Sequence, residues 1–175
     1  MLLRPATPED ADAVARVHVR SWQAAYRSLL PDAYLDGLRP EERAQAYDFT
    51  GSDPAKPYTI VAESEGAVYG FVSTMPSREP DLQGYGELCA LYVDPEHWGR
   101  GIGAALVAAG RDRLFELAFR DAYLWILNGN VRAERFYRLD GWRLDGPRKT
   151  EMMWGITVEE VRYRRSLRQT IADSQ

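Results

Sequence analysis

The chain has little of what metal or disulfide sites are built from. Its 175 residues include one cysteine, Cys89, and two histidines, His18 and His97, which stand far apart. One thiol inside an apolar run cannot begin a disulfide framework, and so few soft or imidazole ligands point to no metal centre. Long apolar runs are missing as well. No stretch approaches the roughly 18 apolar residues of a membrane span, and Met1-Leu2-Leu3-Arg4-Pro5 lacks the apolar core of a secretory signal. A cytoplasmic protein with no membrane partner is expected. There is no basic excess either: 22 Lys and Arg stand against 26 Asp and Glu, a net charge of −4. A general nucleic-acid binder would show the opposite sign. Internal repeats and low-complexity segments are absent. A chain of this size can bury about 70% of its unfolded surface without staples. One domain over residues 1–165 is expected, with 166–175 as a frayed tail.

What the chain does have is a glycine cluster between a strand and a helix. Leu88-Cys89-Ala90-Leu91-Tyr92-Val93 has the composition of a buried strand. Gly99-Arg100-Gly101-Ile102-Gly103 follows, and residues 104–119 carry apolar side chains at helical spacing with no proline. Such a turn presents unpaired N–H groups and the positive end of a helix dipole to an anion. A phosphate-bearing cofactor at residues 99–104 is the first inference.

The flanking segments supply the scaffold. Residues 2–6 predict an edge strand, and Thr7 with Pro8 predicts a capped helix running to about Tyr26. One face of that helix carries Val14, Val17, His18, Ser21, Trp22 and Ala25. His18 there is expected to be hydrogen-bonded and semi-buried rather than catalytic; Trp22 and Tyr26 suit either core packing or a pocket wall. Residues 31–38 and 40–49 predict two short helices, each opened by proline. Residues 58–63 and 68–73 predict a hairpin, and 75–86 a polar loop. A strand at 121–127, parallel to 88–93 through a right-handed crossover, precedes a helix at 131–139 ended by Gly141. Two further strands fall between 142 and 164.

The glycine cluster formally matches the dinucleotide fingerprint G-x-G-x-x-A. Against it, Asp94-Pro95-Glu96-His97-Trp98 separates strand from glycines, and Asn128-Gly129-Asn130 replaces the ribose-binding acid. Antiparallel strands, not βαβ units, precede the loop. No Gly-Lys-Ser/Thr follows, which excludes a nucleoside-triphosphate loop.

Two motifs carry a more specific likeness. Leu91-Tyr92-Val93-Asp94-Pro95-x-x-Trp98-Gly99-Arg100-Gly101-Ile102-Gly103 is the first, and Asn130-x-x-Ala133-x-x-Phe136-Tyr137-x-x-x-Gly141-Trp142 the second. With this element order, the chain resembles the GCN5-related N-acetyltransferase (GNAT) superfamily, in particular small bacterial members. Trp98 departs from the Arg or Gln usual there. The resemblance implies an α/β fold of the mixed α+β kind, a mostly antiparallel sheet with one parallel strand pair flanked by helices. It implies acetyl-CoA as co-substrate and an amine of a small molecule or peptide as acceptor, without a metal. A homodimer through the last strands is common in such proteins.

The same resemblance implies the site. Trp98, Gly99, Arg100, Gly101, Ile102, Gly103 and Ala104 would surround the pyrophosphate. Leu91, Tyr92 and Val93 would flank the pantetheine arm, with a backbone N–H near Tyr92 or Val93 polarising the thioester carbonyl. Asn130 would contact the cofactor, with helix capping an equally physical role. Tyr137 would protonate the leaving thiolate, and Glu87 would serve as base toward an amine of pKa near 10.4. Glu87 could otherwise be a strand-end charge facing solvent, Tyr137 a core aromatic, and Cys89 a small core residue. Trp22 and Tyr26 are candidate acceptor contacts. Two alternatives stay open: a binding-only acyl-CoA sensor of the same fold, and a nicotinamide-dependent oxidoreductase.

Overall fold

The computed structural model describes residues 1–51 and 53–167. Its seven-stranded sheet has the order β1-β2-β3-β4-β5-β7-β6. The edge strand β1 (Leu2–Pro5) pairs antiparallel with β2 (Tyr58–Ser64), which forms a hairpin with β3 (Ala67–Pro76). β4 (Gly86–Val93) is antiparallel to β3, and β5 (Asp121–Leu127) is parallel to β4. β7 (Ile156–Ser166) lies antiparallel to β5, and β6 (Arg143–Met153) closes the far edge against β7.

Alternation along the strands divides the core between two faces. On one, α4 (Ile102–Glu116) and α5 (Val131–Leu139) pack through Leu106, Leu114 and Tyr137 against Val72, Leu88, Leu124 and Tyr163. On the other, α1 (Ala11–Ala25) packs Val14 and Val17 on Val61 and Phe71. Two short helices, α2 (Asp32–Gly37) and α3 (Pro40–Ala44), extend that layer. Thr7 and Pro8 open a 3-10 turn into α1, where Asp10 accepts the Thr7 N–H (2.8 Å) and two bonds from the Arg4 guanidinium (2.7 and 2.9 Å). Gly110 lets α4 approach the sheet, since an added Cβ would stand 3.0 Å from Val72 Cγ2.

Two irregularities in β4 create the site. The strand shares register with β5 only at Gly86↔Ala122 and Glu87↔Tyr123, and a gap opens beyond them. On its other edge, Ala90 stands opposite Ser73 but Leu88 opposite Thr74, so Cys89 is the extra residue of a bulge. The bulge switches faces: Leu88 packs with α4, whereas Ala90 and Tyr92 turn toward α1. The Asp94 N–H donates to the Tyr69 carbonyl (2.8 Å). By the alternation of an antiparallel ladder, the main-chain groups of Leu91 and Val93 then point into the gap.

Several boundaries differ from the sequence-based expectation. The segment 40–49 is helical only to Ala44, and α4 starts at Ile102 because Gly101, at φ 80°, is already its N-cap. The same helix stops at Glu116, before Ala118 takes φ 68°. β3 continues through Met75 and Pro76, into the expected loop. Ser166 belongs to β7, and the Leu167 N–H donates to the Arg120 carbonyl (2.9 Å) with its side chain buried. These two residues are therefore not tail; residues 168–175 lie outside the described residues. Among the described residues no helix is long and apolar enough to cross a membrane.

Candidate active site

A cavity of about 930 Å³ occupies the gap between β4 and β5 and continues under α1. At one end lies the glycine loop. Gly99 and Gly101 have φ of 74° and 80°, and nothing lies within 4 Å of a Cβ added to either. The handedness of the backbone, not crowding, is what asks for glycine there. No acidic side chain sits in the first turn of α4. The N–H groups of Ile102, Gly103 and Ala104 thus face the cavity without a neutralising carboxylate, which suits an anion. Gly99, Gly101, Ile102, Gly103 and Ala104 line the cavity; Arg100 is exposed and stands outside the lining.

Trp98 also lines this end. Its indole N–H donates to the Val93 carbonyl (2.7 Å), which also accepts from Ser21 Oγ (2.6 Å). The Arg132 guanidinium rests 3.4 Å from the Trp98 ring centroid. A cation is therefore present beside the loop although Trp98 replaces the Arg or Gln. It arrives from α5, stacked on that tryptophan.

In the middle of the cavity, Leu91, Tyr92 and Val93 form one wall and Tyr137 another. Tyr137 is buried and packs edge-on against Phe136 (5.1 Å) and Trp142 (6.0 Å). Burial, with the Tyr92 and Asp140 charges adding, pushes its hydroxyl upward, so it stays protonated at neutral pH. Asn130 lines the cavity while its side-chain oxygen accepts the Ala133 N–H (3.1 Å), the capping role.

At the far end the walls are aromatic. His18 stacks on Tyr92 at 4.2 Å between centroids, and Trp154 lies 4.4 Å from His18 and 4.3 Å from Trp22. Trp22 meets Tyr26 at 5.1 Å, and both line the cavity. Trp154 and Gly155 form the two-residue β6–β7 turn at φ 48° and 79°. A bulky residue in that region is strained, and such strain concentrates at functional sites. The Tyr34 hydroxyl steadies the turn by donating to the Trp154 carbonyl (3.0 Å). His18 has the expected hydrogen bond, between Nδ1 and the Tyr47 hydroxyl, but is buried rather than semi-buried. Burial, then the charge of Arg43, holds its pKa well below the usual value, so the ring is neutral.

The remaining wall carries carboxylates. Glu87 is buried, not facing solvent, and its oxygens accept from Arg78 Nε (2.9 Å), Arg78 Nη2 (2.7 Å) and the Tyr123 hydroxyl (2.9 Å). Glu160 on β7 is also buried and lines the cavity. Its nearest cation is Lys149, whose Nζ is 3.6 Å away and closer to Glu151, at 2.8 Å. Burial pushes the Glu160 carboxyl up to about 7, with the Glu151 charge adding and Lys149 opposing. Burial also raises Tyr26 and Tyr92, the Glu160 charge adds to both, and all three line the cavity. Sequence reasoning missed Glu160, together with Arg43, Trp154 and Arg132. Its signal was faint: in Val158-Glu159-Glu160-Val161, only the strand register decides which carboxylate turns inward.

Cys89 is half-buried in the cavity wall rather than in the core, and its thiol donates to the Ser73 carbonyl (3.3 Å). Burial and the Glu87 charge push it up to about 12, so no thiolate forms at neutral pH.

Comparison with known proteins agrees with this architecture. The acetyltransferase (GNAT) family matches residues 20–142. The uncharacterised N-acetyltransferase YuaI of Bacillus subtilis is 33% identical over 129 residues, covering 73% of this chain and 72% of that protein. An uncharacterised N-acetyltransferase of Archaeoglobus fulgidus is 33% identical over 139 residues, covering 78% of this chain and 89% of its own length. The fold is shared with the PaiA N-acetyltransferase of Thermoplasma acidophilum, solved in complex with coenzyme A: TM-score 0.72, 17% identity, 94% of this chain and 98% of that one. The nicotinamide and binding-only alternatives give way to these findings. With its antiparallel sheet, single parallel pair and glycine-capped α4, the chain belongs to the GNAT acetyltransferase family and is an acetyl-CoA-dependent N-acetyltransferase.

Proposed function

We propose that this chain moves the acetyl group directly from coenzyme A sulfur to a primary amine while both substrates are bound. Bound acetyl-CoA supplies an acetyl group activated as a thioester. The N–H groups at residues 99–104 hold its pyrophosphate, and Arg132 on Trp98 adds a fixed cation. The Leu91 and Val93 main chain faces the gap and takes the pantetheine arm. One of their N–H groups polarises the thioester carbonyl, a role worth about 3–4 kcal/mol per donor in other enzymes. Alignment of amine and thioester contributes further, up to about 7–11 kcal/mol.

Glu160 takes one proton from the incoming ammonium; the amine then attacks the thioester carbon, the C–S bond breaks as Tyr137 gives its proton to the departing thiolate, and the second nitrogen proton restores Tyr137. The observation that carries this assignment is the buried Glu160 carboxylate, pushed up to about 7, in the cavity that Tyr26 and Tyr92 also line. A base works best when its pKa lies near the operating pH. Glu87, the base suggested by its place at the head of β4, is committed to Arg78 and Tyr123 and fixes the cavity wall instead. Direct transfer is favoured because the one cavity thiol, Cys89, is held protonated. Initial-rate kinetics with both substrates varied test the reading. Intersecting reciprocal plots are expected, whereas parallel plots would show a covalent acetyl-enzyme and overturn it.

A further inference from the structure

We propose that the acceptor is an amine bearing an oxyanion, a carboxylate or a phosphonate, which Arg43, His18 and Trp22 bind around the ring of Trp154. This names the substrate class of the same cavity and rests on the reaction proposed above. Among the described residues three buried nitrogens there make no hydrogen bond of good geometry, Arg43 Nε, His18 Nε2 and Trp22 Nε1, although the indole lies close to the Tyr92 hydroxyl and the guanidinium close to that of Tyr47. All three side chains gather on one ring. The Arg43 Cζ lies 4.2 Å from the Trp154 centroid, and His18 and Trp22 lie 4.4 and 4.3 Å from it.

Their chemistry is one-sided. Guanidinium and indole N–H groups only donate. Nδ1 of the neutral His18 is engaged by the Tyr47 hydroxyl, and in the tautomer in which that hydroxyl donates, Nε2 carries the ring proton and donates as well. Buried donors without partners call for an acceptor, and a neutral amine cannot serve three of them. An oxyanion can, through several lone pairs.

Charge points the same way. Along the cavity Lys56 is matched by Asp48 (3.1 Å), Arg78 by Glu87 (2.7 Å) and Lys149 by Glu151 (2.8 Å). Among the described residues no carboxylate pairs with Arg43, whose guanidinium instead lies over Trp154 and Tyr47. Its charge is felt at His18, Tyr34, Tyr47 and Tyr92, within the aromatic end. The same cavity is lined by Glu151 and Glu160 on β6 and β7. A cavity lined by these carboxylates and by an unmatched guanidinium complements a zwitterion: ammonium toward Glu160, oxyanion toward Arg43. The strained turn at Trp154 places the platform on which the guanidinium lies.

Matched acceptor trios test this, each an α-amino acid, the amine left by removing its carboxylate, and the corresponding aminoalkylphosphonate. Alanine with ethylamine and 1-aminoethylphosphonate is one; phenylalanine with phenethylamine and its phosphonate is another. Thiol release from acetyl-CoA is followed for each. An oxyanion-bearing member should exceed its bare amine about 10- to 100-fold in kcat/KM, and the two anionic arms decide between carboxylate and phosphonate. Arg43→Gln should bring that ratio within about threefold of one, and Arg43→Lys, which keeps the charge without the fork, should retain part of it. Bare amines matching or exceeding their partners, a panel in which no anionic member turns over, or a ratio that survives Arg43→Gln would each overturn the proposal. The base assignment fails separately: Glu160→Gln would then turn over like the parent, with the anion preference intact.

Discussion

Replacing Glu160 by glutamine should raise stability and sharply lower catalysis in the same protein. The Glu160 carboxyl titrates near 7 in the fold, against an ordinary 4.5, chiefly because burial disfavours its charged form. Below about pH 4.5 it is protonated whether the chain is folded or not, and it exacts no penalty. As pH rises toward 7 the unfolded chain ionises first, so stability falls; above about pH 7 the loss is complete. The shift corresponds to at most about 3 kcal/mol, lowered by the water that reaches the cavity. Glutamine has no proton to lose. Glu160→Gln should therefore melt about 3–8 °C higher at pH 8, given about 2–4 °C per kcal/mol for a chain of this size, and match the parent within about 1 °C at pH 4.5. Activity should move the other way. Loss of a positioned base lowers kcat/KM about 10²- to 10⁴-fold. The acid limb near pH 7, which belongs to the Glu151–Glu160 pair as a unit, should vanish and leave only the ionisation of the amine. Differential scanning calorimetry at the two pH values, with a pH–rate profile of both proteins, makes the measurement. Turnover within threefold of the parent, or a lower melting temperature at pH 8, would refute the reasoning.

Three other substitutions probe neighbouring parts. Tyr137→Phe should lower kcat at least about tenfold while the KM for acetyl-CoA changes less than about threefold, and unchanged turnover would remove Tyr137 from the mechanism. Glu87→Gln breaks the two-pronged pair with Arg78 and should destabilise the protein by about 1.5–3 kcal/mol, read as a drop in melting temperature at pH 8, with less than a tenfold loss of kcat. A loss as deep as that for Glu160→Gln, with melting unchanged, would make Glu87 the base. Gly101→Ala adds no contact, since nothing lies within 4 Å of the new Cβ, but must hold φ near 80°. It should cost about 1–2 kcal/mol and weaken coenzyme A binding several-fold by calorimetry; equal affinity would show that the loop's hand does not matter.

Legibility followed the range of the forces involved. The glycine loop, the capped start of α1, β5 at Asp121–Leu127 and α5 at Val131–Leu139 were visible because turn handedness, capping and apolar spacing are local properties. The role of Trp98 was not. Its ring carries Arg132, which is 34 positions away in the chain, and no local rule connects the two. Glu87 shows the same limit from the other side. Its place at the head of a strand was evident, but its commitment to Arg78 depends on the 77–85 loop folding back over β5, where Ser77 and the Arg78 N–H meet the Tyr123 hydroxyl.

The sequence by itself determined the element order, the handed glycine turn at the head of α4 and the family to which the chain belongs, because backbone chemistry at Gly99, Gly101, Pro8 and Asn130 acts over a few residues. The tertiary structure alone decided which side chains share the cavity. A one-residue bulge at Cys89 and the parting of β4 from β5 after Glu87 set which faces look inward. A slip of one residue in β7 would exchange Glu160 for Glu159. Strand side chains alternate with period two, so long-range register, summed over the whole sheet, set which carboxylate of β7 lines the cavity and gathered Arg43, His18 and Trp22 around Trp154.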